Sequence, residues 1–352
     1  MYCKNDTENI ARGSVDRFMR KKQFIVIRGM KGYIIPYLLK DLDRMENAIV
    51  RRGNIAFSSK LQYYLYRIHN SKRINEIIDL PFKTIWLKEK YSYLENYRYE
   101  DDTDYYIIVL NLAVNTLCFP RLKSIKKDNV KLVLAFFDPI DNEFSSKIAF
   151  KYRHYFDLVM TFDDDDAKKY GFEHFFQRYS KFVLNSVNTN KGLYFVGHSK
   201  GRSVLLEKIA EKLETNKIPY VFKIVGGKQE KASSCKSINY LKKAISYTDV
   251  LDDISKSDCL LEIVQDGQSG ATARYAEAVC YNKKLLTNNK KIVNFPYYDS
   301  RFMKIFSKME DIDLEWLNSK DKVEYFYKGD FSPVVLLNEI SIYFSNFEEN
   351  KT

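Results

Sequence analysis

The stretch that decides the fold is YFVGHSKGRSVLL, residues 194–206. Its apolar start, its glycine-containing centre and its amphipathic end predict a strand, a tight turn and a helix. The centre also matches G-x-S-x-G, the turn that exposes the nucleophile of α/β-hydrolases, which would make Ser199 a nucleophile. The sequence therefore offers two interpretations of the turn, a catalytic serine or a site built for another ligand.

The histidines argue against the hydrolase. In the α/β-hydrolase order, the histidine base follows the serine in the chain. The four histidines are His69, His154, His174 and His198, and none of them lies after Ser199. We therefore expect no catalytic triad of this type.

The same turn has the chemistry of an anion site. Gly197 and Gly201 allow a tight turn at the start of a helix, where free backbone N–H groups and the helix dipole favour an anion. Lys200 and Arg202 add cationic donors, and a guanidinium suits bidentate contact with phosphate. We therefore predict a phosphate site at residues 197–202; the alternative is an ordinary turn with solvated charges.

The rest of the chain alternates between strand and helix patterns. Short apolar runs and amphipathic segments follow one another through 352 residues, of which 45% are hydrophobic, and this order predicts parallel sheets. The polar run NSVNTNKG, residues 185–192, interrupts the alternation and is typical of a linker. The predicted fold class is α/β, with two Rossmann-like, doubly wound domains that face a cleft.

The predicted domain boundaries follow from these breaks. We expect a polar N-terminal extension over residues 1–22, a first Rossmann-like domain over 23–188 and a second over 189–330. Residues 331–352 are predicted as a C-terminal helix with the option of packing back on the first domain. In open α/β sheets, ligands bind beyond the carboxyl ends of the strands, so the loops at those ends are the candidate sites.

Net charge and cysteine content indicate which ligands and which cellular location to expect. The net charge of +11 favours an anionic ligand or an anionic membrane surface, and the sequence lacks the motifs of nucleic-acid-binding domains. No apolar run is long enough to span a bilayer, and we expect no secretory leader. The five cysteines are scattered, as in proteins of a reducing compartment. We expect a cytoplasmic protein with the option of peripheral attachment to the inner face of the cell membrane.

A second polar loop follows a predicted strand in EIVQDGQSGATARYAEAVCYNKKLLTNN, residues 262–289. The side chains suited to hydrogen bonds with an anion are those of Gln268, Ser269 and Thr272. Arg274 can neutralise a phosphate, and Glu277 can accept hydrogen bonds from a sugar diol. The alternative for this arginine and glutamate is an ion pair, three positions apart, on the helix surface.

These segments resemble the GT-B glycosyltransferases, in particular bacterial enzymes of surface-polysaccharide and lipopolysaccharide biosynthesis. The resemblance rests on FVGHSKGR (195–202), FFDPIDN (136–142), FDLVMTFDDDDAKKYGF (156–172) and residues 262–289. It implies transfer of a sugar from a nucleoside-diphosphate sugar, used as a co-substrate, to a glycan or lipid-linked glycan. Many retaining members carry two glutamates eight positions apart; here Ser269 stands eight positions before Glu277, so the stereochemistry of transfer is not carried over.

The resemblance also implies which residues hold the donor, since a basic turn and a glycine-containing loop with a downstream glutamate bind the nucleoside diphosphate in such enzymes. The donor-binding candidates are Gly197, His198, Ser199, Lys200, Gly201, Arg202, Gly226, Gln268, Ser269, Gly270, Thr272, Arg274 and Glu277. Lys200 and Arg202 are also the catalytic candidates for stabilising the leaving group.

An inverting transferase needs a base beside the acceptor hydroxyl. Asp138 follows a predicted strand and is the candidate base; the alternative is a turn-forming role before Pro139. The acceptor-side candidates, which follow strands in the first half, are Arg28, Gly29, Lys31 and Asp141.

The run DDDD, residues 163–166, resembles the D-x-D metal site of another class of glycosyltransferase. We interpret it instead as the start of a helix, where carboxylates interact favourably with the helix dipole. We therefore expect no bound metal and no resident cofactor. Two alternatives to a transferase remain: an inactive glycosyltransferase-like binding subunit, and a phosphotransferase that acts on a nucleotide-activated polyol.

Overall fold

The computed structural model describes residues 20–29, 34–52, 59–69, 71–78, 80–82, 85–86, 94, 97–116, 122, 125–141, 144–184, 191–227, 235–265 and 267–349. Most of the predicted N-terminal extension (1–19), most of the predicted linker (185–190) and the candidate Lys31 lie outside the described residues.

The chain divides into two compact units. Unit 1 consists of residues 1–31, 42–161 and 166–174, and unit 2 consists of 32–41, 162–165 and 175–352. Unit 2 therefore includes two short segments that precede its main part in the sequence. The C-terminal segment, residues 331–352, belongs to unit 2.

The strands of unit 1 are β1 (Lys21–Arg28), β2 (Ala48–Arg52), β3 (Thr103–Leu110), β4 (Val130–Phe136), β5 (Leu158–Thr161) and β6 (Glu173–His174). They form a six-stranded sheet in the order β2-β1-β3-β4-β5-β6. Every neighbouring pair is parallel, so all the strands end at the same edge of the sheet.

The strands of unit 2 are β7 (Leu193–His198), β8 (Tyr220–Val225), β9 (Ile238–Leu241), β10 (Cys259–Glu262), β11 (Lys284–Thr287) and β12 (Met303–Ile305). Their order is β12-β11-β10-β7-β8-β9, and these pairs are also all parallel. The α/β class with two parallel sheets is as predicted.

The α-helices are α1 (Ile35–Leu38), α2 (Lys60–His69), α3 (Lys72–Ile77), α4 (Phe144–Lys151), α5 (Asp164–Tyr170), α6 (Ser203–Thr215), α7 (Tyr247–Lys256), α8 (Ala273–Cys280), α9 (Leu314–Asn318) and α10 (Pro333–Glu349). Short 3₁₀ helices cover Lys40–Arg44, Asn111–Thr116, Arg153–Tyr155, Lys290–Asn294 and Met309–Asp311. Among the described residues, no helix is long and apolar enough to cross a membrane.

The central strands are buried along almost their whole length. Ile107 and Leu134 on β3 and β4, and Phe222 on β8, are 0% exposed. Such continuous apolar strands are typical of parallel sheets that are covered on both faces. The sequence therefore predicts these strands well, because most residues in them are apolar.

The edge strands differ from this pattern. The strands β2, β6, β9 and β12 stand at the four sheet edges, and the sequence analysis does not predict them. They are short, and Met303 of β12 is the only residue in them that is fully buried. The apolar pattern at 84–87 predicts a strand, but this prediction is wrong for Ile85 and Trp86, the two described residues of the run, which form a helical turn. The pattern over residues 33–45 predicts one helix, whereas its described part, from residue 34 onward, forms α1 and a separate 3₁₀ segment.

Two glycines with left-handed backbone give a matched test of packing at the start of β7. Gly192 has φ +63° and Gly171 has φ +68°, so alanine at either position carries a similar backbone cost of about 1–2 kcal/mol. A Cβ at Gly192 would lie 1.8 Å from the carbonyl oxygen of Pro219, whereas a Cβ at Gly171 would meet nothing within 4 Å. We expect Gly192→Ala to lower the free energy of unfolding in urea clearly more than Gly171→Ala. Equal losses would contradict the close approach of the two backbone segments.

Candidate functional site

The turn at residues 197–202 closes the end of β7 and starts α6. Lys200 and Gly201 have φ +39° and +80°, and Arg202 stands at the N-cap of α6. The Ser199 N–H donates to the Val225 carbonyl on β8 (2.9 Å), and the Arg202 N–H donates to the Ser199 carbonyl (2.7 Å). The predicted strand, turn and helix are therefore present, and the turn is fixed to the neighbouring strand.

The Arg202 side chain ties the ends of two strands together. Its guanidinium donates to the carbonyl of Ile263, just after β10, and to the carbonyl of His198 at 2.6 Å. The cation also lies 5.5 Å from the centre of the Phe195 ring, and burial lowers its pKa. Arg202 thus has a structural role at the strand ends, whereas the sequence suggested a phosphate ligand or a solvated charge.

The glycine-containing loop before α8 is held by Asp163. The Asp163 carboxylate accepts from the N–H groups of Ser269 and Gly270 and from the Ser269 hydroxyl, each at 2.9 Å. It also accepts from the Asp165 N–H at 3.1 Å, which is the predicted capping of a helix start. Asp163 is only 1% exposed. The aspartate run therefore caps α5 and orders the candidate donor loop, and the second role was not predicted.

The other two carboxylates of the run for which contacts are described also face protein donors. Asp165 forms an ion pair with Lys291, and Asp166 accepts from the Ile140 N–H at 2.9 Å. Among the described residues, no group of three or more metal-ligating side chains is placed to hold an ion.

Glu262 lies at the end of β10 and is 4% exposed. The hydroxyls of Thr272 and Thr287 both donate to its carboxylate, while each hydroxyl accepts a backbone N–H: that of Arg274 for Thr272 (3.1 Å) and that of Asn289 for Thr287 (3.0 Å). Thr272 is in this way the N-cap of α8. Burial raises the pKa of Glu262. Sequence reasoning missed this residue, although a glutamate directly after buried leucines is a detectable signal.

Arg274 and Glu277 form the ion pair that was the alternative to a ligand role. The alternative placed the pair on the helix surface, but the pair is buried: Glu277 is 1% exposed and the Arg274 side chain is 14% exposed. Arg274 also donates to the Val196 carbonyl on β7 at 3.3 Å and lies 5.7 Å from the centre of the Tyr194 ring. It therefore reaches the strand that leads into the 197–202 turn.

A row of tyrosine hydroxyls continues from Glu277. Tyr247 donates to the Glu277 carboxylate at 2.6 Å, and its oxygen lies 2.9 Å from that of Tyr179. The Tyr179 and Tyr281 oxygens are also 2.9 Å apart, and the Phe182 N–H donates to Tyr281 at 3.0 Å. Burial raises the pKa of Tyr179. The row connects the segment that enters unit 2 with helix α8.

Two further donor candidates stand at the same edge of the sheet. The Gly226 N–H, directly after β8, donates to the Leu241 carbonyl at 2.9 Å. The Gln268 N–H donates to the Gln265 carbonyl at 3.0 Å, and the Gln268 side chain is half-buried.

The acceptor-side candidates lie at the carboxyl edge of the unit 1 sheet. Arg28 ends β1 and is 9% exposed; it is paired in register with Arg52 on β2, and burial together with this second cation lowers its pKa. A Cβ at Gly29 would lie 2.3 Å from the Leu112 carbonyl oxygen, so the backbone passes closely there. Two arginines side by side at strand ends favour an anion.

The candidate base, Asp138, follows β4. It is half-buried, and the Asn111 side-chain amide donates to its carboxylate at 3.3 Å. Asn111 also accepts from the Phe137 N–H at 3.0 Å, so Asp138 is held on a fixed scaffold. Asp141 is exposed and forms an ion pair with Lys169 at 2.9 Å.

Comparison with known proteins finds similarity in structure. No family model and no curated protein matches the sequence. HepE from Anabaena, solved with UDP-glucose, is 11% identical with a TM-score of 0.54, over 92% of this chain and 99% of that one. The chain has a GT-B-like fold. A putative UDP-N-acetylglucosamine 2-epimerase from Listeria monocytogenes is 12% identical with a TM-score of 0.51. The match covers 94% of this chain and 97% of that one.

A third neighbour is an α-glucosyltransferase solved with UDP and a DNA 13-mer, 10% identical with a TM-score of 0.50, over 81% of this chain and 82% of that one. At such identities the likeness concerns the fold. The resemblance to the GT-B architecture is therefore confirmed, with epimerases among the neighbours.

The Asp163 contact can be tested by removing its charge. Asp163→Asn retains the shape but weakens charge-assisted bonds to two N–H groups and a hydroxyl, each worth about 1.5–3 kcal/mol with a charged acceptor. We expect a loss of at least about 1.5 kcal/mol in urea unfolding. The matched control is Asp165→Asn, where the carboxylate is 58% exposed and a surface ion pair contributes about 0–1 kcal/mol. If Asp163→Asn lowered the free energy of unfolding no more than Asp165→Asn does, Asp163 would not order the loop.

Glu262 predicts a pH dependence of stability. Because its pKa is raised in the folded state, the folded protein holds this proton more tightly than the unfolded chain does. The stabilisation is complete below the ordinary glutamate pKa and is lost as the pH rises through the folded-state pKa. Unfolding free energies measured across this range should fall more steeply with pH for the wild type than for Glu262→Gln, which does not titrate. Parallel pH profiles would mean that the pKa of Glu262 is not raised.

Proposed function

We propose that the protein is a glycosyltransferase that moves a sugar from a nucleoside-diphosphate sugar to a glycan or lipid-linked glycan in surface-polysaccharide assembly. The observation that carries the proposal is the GT-B-like fold together with the basic turn and the α8 loop, which the contacts of Arg202 and Arg274 bring to one edge of the unit 2 sheet. The bound UDP-glucose and UDP named for two neighbours are consistent with this donor class.

The donor diphosphate is proposed to bind at the start of α6. Lys200 is exposed there, on a turn whose backbone is fixed, and its ammonium is the first candidate for neutralising the leaving diphosphate. Arg202 shapes the turn through its bonds to two carbonyls and adds positive potential beside it. In this arrangement a helix N-terminus and a lysine stabilise the leaving group without a bound metal ion.

The α8 loop is proposed to complete the donor site. Gln268 lies beside Ser269 and Gly270, whose positions are set by Asp163, and Thr272 is fixed by Glu262. Arg274 supplies a second cation near β7. Glu277 contributes by holding that arginine in place, because its carboxylate is already engaged by Arg274 and Tyr247.

The acceptor is proposed to meet unit 1. Asp138 is the candidate base, since its carboxylate stands at a strand end on a fixed scaffold and proton removal from the acceptor hydroxyl is the chemistry that an inverting transfer requires. Arg28 and Arg52 favour an acceptor with an anionic group, such as the phosphate of a lipid-linked glycan.

A second candidate is epimerisation of a UDP-N-acetyl sugar. It is favoured by one specific observation, the TM-score of 0.51 with the putative 2-epimerase from Listeria monocytogenes. The two functions share a nucleotide-sugar donor and differ in the product. An epimerase converts the sugar nucleotide alone, whereas a transferase releases the nucleoside diphosphate.

The deciding experiment is a binding and turnover panel. Purified protein is mixed with UDP-glucose, UDP-N-acetylglucosamine and other sugar nucleotides in EDTA, and stability and products are measured. A ligand at 100 times its dissociation constant stabilises the fold by about 2.7 kcal/mol. We expect binding in EDTA and slow release of nucleoside diphosphate. Epimerised sugar nucleotide without release would favour the second candidate, and binding to none of the panel would overturn both.

Three variants at the turn test how the donor is held. We expect Lys200→Ala to weaken donor binding by about 1.5–3 kcal/mol with little change in urea unfolding, because the side chain is exposed. Arg202→Ala should weaken both binding and stability, since it also loses the carbonyl contacts. Ser199→Ala should affect binding far less than either.

The matched control is Lys208→Ala, an exposed lysine further along α6. Its removal changes the net charge equally and should leave binding unchanged. If Lys208→Ala and Lys200→Ala weakened donor binding equally, the loss would come from the change in net charge and not from a contact of Lys200 with the donor. Complete loss of turnover in Ser199→Ala, with normal turnover in Lys200→Ala, would favour a serine nucleophile.

A further inference from the structure

Helix α2 carries its apolar face toward solvent. Leu61, Tyr64, Leu65 and Ile68 follow the i, i+3, i+4, i+7 spacing of one helical face, and they are 68%, 58%, 49% and 57% exposed. In an ordinary surface helix such a face packs on the core. Tyr66, which points away from this stripe, is buried.

The inner face of α2 is anchored by specific contacts. Tyr66 packs edge-on against Trp86 with ring centres 5.7 Å apart, and burial raises the pKa of Tyr66 to about 12. The Trp86 N–H donates to His69 at 2.7 Å, and the other His69 nitrogen lies 2.7 Å from the Pro81 carbonyl oxygen. Ser59 caps the helix by accepting the Gln62 N–H at 3.1 Å. The helix is therefore held in the orientation that exposes its apolar side.

More exposed apolar side chains follow α2 in the sequence. Further large apolar side chains with exposures between 60% and 84% are Ile77, Ile78, Phe82 and Ile85. Outside residues 61–85, the exposed large apolar side chains of the described residues are scattered through the chain. Single exposed apolar residues are normal, but a contiguous stripe such as that of Leu61, Tyr64, Leu65 and Ile68 marks an interaction site.

The charged residues around this surface are mostly cationic, which favours an anionic partner. The stretch 59–86 contains five lysines and arginines and two acidic residues, and Lys60 and Arg67 lie seven positions apart, which places both beside the apolar stripe. Arg67 stands 5.8 Å from the centre of the Tyr63 ring. An apolar stripe that includes a tyrosine and is flanked by cations is the pattern of a helix that lies in the interface of an anionic membrane.

We propose that α2 forms a docking surface for an anionic lipid bilayer, with Leu61, Tyr64, Leu65 and Ile68 inserted among the lipids and Lys60 and Arg67 at the headgroups. This surface belongs to unit 1, the unit proposed to receive the acceptor. The inference does not rest on donor chemistry, because membrane binding is measured without any nucleotide.

The test is sedimentation of the full-length protein with vesicles of phosphatidylcholine, with and without phosphatidylglycerol. We expect binding only to the vesicles with phosphatidylglycerol, and weaker binding at high salt because counterions screen the headgroup attraction. Ile68→Glu should reduce the ratio of bound to free protein about tenfold or more, since it replaces buried apolar area by a charge that anionic lipid repels.

The matched control is Ile342→Glu. Ile342 lies on α10 and is 58% exposed, against 57% for Ile68, so the two variants introduce the same charge at equally exposed helical positions. Ile342→Glu should bind vesicles nearly as the wild type does. Leu61→Glu, at the most exposed position of the stripe, repeats the test if Ile68→Glu fails to give the wild-type circular dichroism spectrum and melting temperature.

Several outcomes would overturn the proposal. These are failure of the wild type to bind vesicles that contain phosphatidylglycerol, equal binding to pure phosphatidylcholine, and equal losses in Ile68→Glu and Ile342→Glu. Self-association of the wild type that Ile68→Glu abolishes, without vesicle binding, would assign the surface to a second copy of the chain. Sugar-nucleotide binding by Ile68→Glu, measured in solution, should match the wild type, so failure here is distinct from failure of the transferase proposal.

Discussion

A buried carboxylate must be surrounded by hydrogen-bond donors, and the loops and helices of unit 2 depend on meeting this demand. Asp163, Glu262 and Glu277 are each less than 5% exposed, and each is met by N–H groups, hydroxyls or a guanidinium. An unpaired buried charge would cost several kcal/mol. Three donors to Asp163 and one donor to Glu262, Thr272, belong to the loop and helix cap before α8. The same contacts therefore order a loop at the strand ends, where ligands of open α/β sheets bind.

The sequence predicts the interior of this protein better than its edges. The central strands β3, β4, β7 and β10 are apolar at nearly every position because they are buried on both faces, and this signal is local. The edge strands β2, β6, β9 and β12 carry mixed or polar residues. Their strand conformation comes from hydrogen bonds to a neighbour that is distant in sequence, so no local pattern marks them.

A similar limit applies to the candidate site. The turn at 197–202 and the loop before α8 follow from glycine and charge patterns, and both stand at strand ends as predicted. The sequence does not reveal that Asp163, more than 100 positions before Ser269, holds that loop. Nor does it separate Lys200, which is exposed, from Arg202, whose donors are used by two carbonyls. Which cation meets a ligand depends on long-range contacts that only the folded chain contains.

The row of tyrosine hydroxyls has a direction. Glu277 is ion-paired with Arg274, and a carboxylate in its ionised form can only accept. Each hydroxyl has a single hydrogen, so with Glu277 ionised the Tyr247 hydrogen goes to Glu277, that of Tyr179 to Tyr247 and that of Tyr281 to Tyr179. The Phe182 N–H at the far end agrees with this order, because it offers a hydrogen to Tyr281. The hydroxyl dipoles are therefore aligned head to tail, and each bond polarises the next. A proton taken up by Glu277 would give this end of the row a donor of its own, and the alignment of hydrogens as far as Tyr281 would no longer be unique.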